Sequence, residues 1–160
     1  MRTIFKIGIG FAGLLTFSIA YWLISPLFIN KIVSEKVEDI QEPYVPAQNS
    51  LTPQIIAQGN FMDADSFHKI EGTAQLLKLD NKYFIRFEEN FKATNGPDLF
   101  VHFGKNSAYA KEAKISALKG NIGSQNYEVP ADINPLDYTE VWIWCRAFSV
   151  PFGHAILQAI

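Results

Sequence analysis

Between Lys6 and Lys31 the chain carries no charged residue, and the stretch from Ile7 to Phe28 reads IGIGFAGLLTFSIAYWLISPLF. As a helix rising 1.5 Å per residue it is about 33 Å long, enough to cross the hydrocarbon of a bilayer. Hydrocarbon offers the backbone no hydrogen bonds, so a lone segment this apolar can span it only as a helix. Tyr21 and Trp22 are amphipathic rings toward the outer part of the span, and Pro26 falls in its last turns, where lost backbone bonding is easier to tolerate. A cleaved signal peptide is the rival, because Ser18-Ile19-Ala20 is a passable small-x-small site; the apolar run continues past it, which favours an uncleaved anchor. Arg2 and Lys6 precede the span and Lys31 and Lys36 follow it, a tie broken by the tighter clustering of the first pair. The expectation is a single-pass membrane protein, attached through Ile7–Phe28, with its domain on the extracytoplasmic side.

The chain of 160 residues then has room for one domain and not two. Apolar residues make up 48% and charged residues 19%, which supplies a core and argues against disorder. The net charge is −2 with no basic run, so the electrostatic footprint of a nucleic-acid binder is missing. Cys145 is the only cysteine, which excludes an internal disulfide and a Cys-rich zinc site.

Three segments follow from this pattern: residues 1–30 as cytoplasmic tip and transmembrane anchor, 31–56 as a juxtamembrane helix and Pro-containing linker, and 57–160 as the folded domain. In KIVSEKVEDIQE, residues 31–42, Val33, Val37 and Ile40 recur at i, i+4 and i+7, predicting a short helix with one apolar stripe. Pro43, Pro46 and Pro53 end it, and EPYVPAQNSLTPQ reads as an extended spacer.

From about Ala57 the period becomes two. Tyr83, Ile85 and Phe87 alternate with Lys82, Phe84, Arg86 and Glu88; Leu99, Val101 and Phe103 alternate with Phe100 and His102. Val141, Ile143, Cys145 and Ala147 share one face of a third strand, opposite Trp142, Trp144, Arg146 and Phe148. Thr73–Leu79 and 154–158 are further strands, with Asp80-Asn81 a hairpin turn between the first and second. Apart from a weak helical stretch over Tyr109–Leu118, the pattern is all-β, and an antiparallel β-sandwich preceded by one N-terminal transmembrane helix is the expected architecture.

Candidate chemistry is sparse. Asp98, in Asn95-Gly96-Pro97-Asp98, is a turn residue before it is a catalytic or metal-binding carboxylate. Lys119-Gly120-Asn121-Ile122-Gly123-Ser124 has the flavour of a phosphate-cradling loop but lacks the Walker spacing and a following helix, so it reads as a tight loop. His68, His102 and His154 do not stand at ligand spacings, and Asp63 and Asp65 lack the rest of a calcium pattern. No hydrolase or transferase motif is present. Cys145 has apolar same-face neighbours in Ile143 and Ala147, which would raise its thiol pKa and leave it inert in the core.

The segments FHKIEGTAQL (67–76), NGPDLFVHF (95–103), LKGNIGSQNYEVP (118–130) and VWIWCRAFSVPFGHAIL (141–157) together resemble the DM13 domain family. The resemblance implies an all-β extracytoplasmic electron-transfer module, whose characteristic cysteine serves as a bare redox thiol or as a ligand to a prosthetic group such as haem. By resemblance Cys145 takes that cysteine's place, while Asp98, Gly120, Gly123 and Tyr127 match positions of a structural kind. A covalent c-type haem is excluded because C-x-x-C-H is absent. Two functions follow as expectations, beside a purely structural one in which the sheet packs against neighbours in the envelope. One is a redox module using Cys145, partly accessible beside a pocket and served by a protein redox partner. The other is a non-catalytic binding or adhesion module presenting Trp142, Trp144 and Phe148.

Overall fold

The computed structural model describes residues 13, 16–21, 24, 25, 28–40 and 52–160. Most of the expected span Ile7–Phe28, and residues 42–51 of the expected spacer, lie outside the described residues. Among the described residues, 16–21 are helical, and no helix is long and apolar enough to cross a membrane.

The domain is built from β1 (Gln54–Asp63), β2 (Ile70–Glu71), β3 (Thr73–Leu79), β4 (Lys82–Phe87), β5 (Lys92–Ala93), β6 (Leu99–Lys105), β7 (Ala108–Ala117), β8 (Gln125–Glu128), β9 (Glu140–Cys145), β10 (Val150–Ile156) and β11 (Gln158–Ala159). The strands pair antiparallel in one sheet of order β7-β6-β9-β10-β1-β3-β4-β8, with β11 beside the start of β1 and β2–β5 a separate small ribbon. The all-β antiparallel expectation holds, with one difference. The two layers of a sandwich are here one continuous sheet curled into a half-barrel. β1 makes the bend: it follows β3 along its length, while its other edge meets β11 first and then β10.

Period-two patterning sets the inside. Leu76, Ile85, Phe87, Val101, Phe103, Tyr127, Val141, Ile143 and Cys145 belong to one buried cluster, supplied from both arms of the curl. Asp80 takes a left-handed φ of 54° in the expected hairpin between β3 and β4. Residues 109–117, read as weakly helical, are the strand β7. The strand expected to run through Ala147 and Phe148 stops at Cys145, and 146–149 turn the chain into β10.

The helix expected over 31–42 is reduced to one 3-10 turn at Val37–Ile40. Residues 31–36 are instead an extended strap alongside 121–126. Lys31 N–H donates to Asn121 Oδ1 (2.7 Å), Val33 N–H to the Ile122 carbonyl (2.9 Å) and Glu35 N–H to the Ser124 carbonyl (3.0 Å). An isolated helix this short is marginal in water, and β-branched Ile32 and Val33 weaken it further, so partnered backbone amides on the domain win. Two glycines open the groove: a Cβ on Gly120 would strike the Lys31 carbonyl, and one on Gly123, at φ +91°, the Val33 carbonyl. The Glu35 carboxylate completes the seam, accepting from Lys119 Nζ (2.8 Å to each oxygen) and Asn126 N–H (2.7 Å).

Candidate functional site

The two faces of β9 do different work. Val141, Ile143 and Cys145 enter the core, while Glu140, Trp142 and Trp144 stand on the outer face of the β7-β6-β9-β10 arm. Register places His102, Trp142, His154 and Met62 in one row across four strands, and Phe100, Trp144 and Pro151 in the next.

These rows form a layer of stacked rings. Tyr109 stacks on Trp144 at 3.9 Å between centroids and 21° between planes, and Trp142 stacks on His154 at 4.4 Å and 12°. His102 meets Tyr109 edge-on at 5.4 Å. Lys114 Nζ and the Arg146 guanidinium lie over the Phe100 ring at 5.4 and 4.7 Å, within cation–π range. Gly104 makes room for this packing, since a Cβ there would collide with the Trp142 indole. The indole N–H donates to Glu140 Oε2 (2.7 Å), and Glu140 Oε1 accepts the Ser107 N–H (2.9 Å), so this buried carboxylate is satisfied by two donors.

His102 is buried with Nδ1 3.2 Å from the Ala110 carbonyl, which fits a neutral imidazole donating from Nδ1. Desolvation holds its pKa below the ordinary histidine value; the Ala110 carbonyl opposes that shift and the Lys114 charge adds to it. Trp144, Tyr109 and His154 are half-buried, so the layer meets solvent through Trp144 and Tyr109 rather than through Trp142.

The other sequence candidates do not converge. Asp98 is held by Arg146, whose Nε and Nη2 donate to its two carboxylate oxygens at 2.7 and 3.3 Å. Asp65 accepts from His68 Nδ1 and from the Phe67 and His68 amides, which bring its pKa down to about 2. Asp63 is engaged by Lys69 and the Ile70 amide. Among the described residues no three His, Cys, Asp or Glu side chains gather as a metal site. Lys119–Ser124 is a loop, as expected, but what it embraces is the strap of its own chain.

Cys145 is fully buried, lying between Leu99 and Val150 in register and within the apolar core. This corrects the expectation of a partly accessible thiol beside a pocket. The clefts at Asp63–Lys69–Asn121, Gly96–Lys119 and Glu35–Phe84 have other linings. A haem needs a slot beside its sulfur ligand wide enough for a macrocycle, and close-packed Leu99, Val101, Ile143 and Val150 offer none, so the residues present do not fit that group.

The four motifs of the sequence all lie within one family match. A family model described as "Electron transfer DM13" matches residues 60–157. The chain belongs to this family. No curated protein and no solved structure matches it. Within this DM13 domain, Gly120 and Gly123 admit the strap, Tyr127 packs on the core with its hydroxyl on Gln125 Oε1 (2.6 Å), and Asp98 pairs with Arg146 across the base of β6 and β9. Tyr109, Gly104 and Glu140 are parts of the outer layer that the sequence did not single out; the signal available was a glycine breaking the apolar alternation of β6 opposite a tryptophan strand.

Proposed function

We propose that this DM13 protein is a membrane-tethered, extracytoplasmic electron-transfer module that meets a protein redox partner through the outer aromatic layer, at Trp144 and Tyr109. The observation that carries the reading is the match to an electron-transfer family over residues 60–157, most of the folded domain. Two features support it: an indole and a phenol are the protein side chains besides thiols that give up single electrons most readily, and here they are stacked, half-exposed and continued inward by His102. Cys145 is the inward-facing neighbour of Trp144 on the same strand, and its thiol is a buried second candidate for the redox group rather than a reagent open to solvent. Tethering is supported by the uncharged stretch Ile7–Phe28 and by the exposure of helical residues 16–21, among them the apolar Phe17, Ile19 and Tyr21. Export of the domain is supported by Arg2 and Lys6 ahead of that stretch.

The test is photochemical. Full-length protein is oxidised by a flash-generated ruthenium(III) complex and the radical is identified by electron paramagnetic resonance. An indole or phenoxyl radical is expected in the native protein, largely lost in Trp144→Phe with Tyr109→Phe and retained in Cys145→Ser. A sulfur-centred radical would hand the role back to Cys145, and an undiminished signal in the double variant would remove the aromatic layer from it.

The burial of Cys145 also favours a second reading, a binding module in which the same aromatic layer holds a partner, since such rings dominate interface energetics. In that case Trp144→Ala abolishes partner capture and Cys145→Ala leaves it intact. Under either reading the native thiol is expected to resist Ellman's reagent and to react fully once denatured; rapid labelling of folded protein would contradict the burial.

A further inference from the structure

One end of the half-barrel gathers the turns 64–69, 94–98, 118–124 and 146–149, because β1 ends there at Asp63, β6 begins at Leu99, and β9 ends at Cys145 opposite Leu99. The chain enters the domain at this same end. Asn30 Oδ1 accepts from Asn95 Nδ2 and Asn121 Nδ2, each at 3.0 Å, and Lys31 bonds Asn121 directly. From there the strap runs up the domain parallel to the strand it borders, through the Ile32–Ile122 bridge to Lys36.

Within 52–160 two phenylalanines are strongly exposed, Phe67 at 84% and Phe148 at 65%, and both sit in turns of this end. Most ionic groups around them are paired: Lys69 with Asp63 (2.8 Å), Arg146 with Asp98 (2.7 Å), Lys92 with Glu71 (4.0 Å) and, when protonated, His68 with Asp65 (2.7 Å), while the exposed Lys31 at the chain's entry adds one positive charge. A surface with two protruding aromatic rings and mostly paired charges is matched to the headgroup boundary of a bilayer, where rings seat between polar heads and acyl chains.

The geometry points to this end as a bilayer-docking face: Phe67 and Phe148 insert at the lipid interface, while Asn30 and the strap hold the domain upright on the membrane. The inference rests on the tethering reading, since it is Ile7–Phe28 that would bring this end to the lipid. It goes further by fixing orientation. The spacer EPYVPAQNSLTPQ falls after the strap in sequence and so is no tether between anchor and domain. Because all but Lys31 of the charges named here are paired, docking is chiefly by apolar insertion and not by attraction to anionic lipid.

Full-length protein in phosphatidylcholine vesicles, carrying a nitroxide at Phe67→Cys, Phe148→Cys or Leu136→Cys in turn, tests it. Leu136 is an exposed apolar residue in the turn leading into the far end of β9 and serves as the control position. Unsubstituted protein is the labelling blank, Cys145 being sealed. At 67 and 148 the label is expected to relax faster with dissolved oxygen than with an aqueous nickel chelate, with the order reversed at 136 and the pattern unmoved by high salt. If all three labels behave alike while the protein floats with the vesicles, the docking face is wrong and the anchor stands. If the protein does not float, the tether and the docking face fall together.

Discussion

Gly123→Val is expected to lower stability by about 3 kcal/mol or more, a large part of the roughly 5–15 kcal/mol that holds a domain together. Gly123 has φ +91°, where a β-branched side chain is strained, and its missing Cβ leaves the space taken by the Val33 carbonyl. Backbone occupies that space, so no rotamer change relieves the clash. The loop cannot retreat either, because Gly123 N–H donates to the Phe91 carbonyl (2.9 Å). The cheapest escape is release of the strap, which forfeits the Val33 and Glu35 backbone bonds and the Glu35 carboxylate's bonds to Lys119 and Asn126. Each bond is worth about 0.5–1.5 kcal/mol net, and the part-buried Lys119 ammonium would lose its carboxylate, keeping the Asn126 carbonyl. Two measurements check this: the urea midpoint should fall, and hydrogen exchange at Val33 and Glu35 should accelerate to the unprotected rate. Gly120→Ala, at an ordinary φ but against the Lys31 carbonyl, should free the start of the strap with a smaller drop. Should the valine variant lose stability while 31–36 stay protected, the glycine serves its own turn and not the strap.

What was legible in the sequence and what was not divides by the range of the interaction. β3, β4, β6 and β9 announce themselves because their pairing keeps a strict period of two, and Asp80-Asn81 marks its hairpin locally. β7 hides behind its own irregularity. Register shifts opposite His102 put Ala110, Ala113 and Ile115 on the core, a spacing of three and then two that passes for a helical face in a segment rich in Ala. The strap is invisible for another reason: its partners lie some ninety positions away, while the local window shows only a short apolar stripe. The candidate site follows the same division. The inward direction of Cys145 could be read from Ile143, and the outward direction of Trp142 and Trp144 from alternation. The Tyr109–Trp144 stack depends on which strands lie side by side, and no spacing within one segment carries that.

Phe87→Ala is expected to cost about 3–5 kcal/mol, toward the upper end, because the cavity it leaves cannot close. Phe87 is fully buried, with Phe91 stacked at 4.6 Å, Phe61 edge-on at 5.1 Å and Tyr127 at 5.3 Å. Relaxation into the void would have to come from these rings, and the largest is pinned. Tyr127 Oη donates to Gln125 Oε1 (2.6 Å) and accepts the Lys119 N–H (3.0 Å), and Gln125 in turn bonds Gly120 through both ends of its amide. Burial pushes the Tyr127 phenol well above its ordinary pKa, so the hydroxyl keeps its proton and remains a donor throughout the working pH range. Moving that ring inward would break bonds that also brace the loop beneath the strap. Phe84 lies on the opposite face of β4, beside Glu35 and Ile40, where strap residues can shift and water can enter, so Phe84→Ala should cost less. Urea midpoints of the two variants decide the matter, with Phe87→Leu expected to recover part of the loss by refilling the cavity. Were Phe84→Ala the more damaging change, the weight of the core would lie between β4 and the strap rather than inside the curl of the sheet, and the aromatic cluster around Phe87 would be packing that the fold can spare.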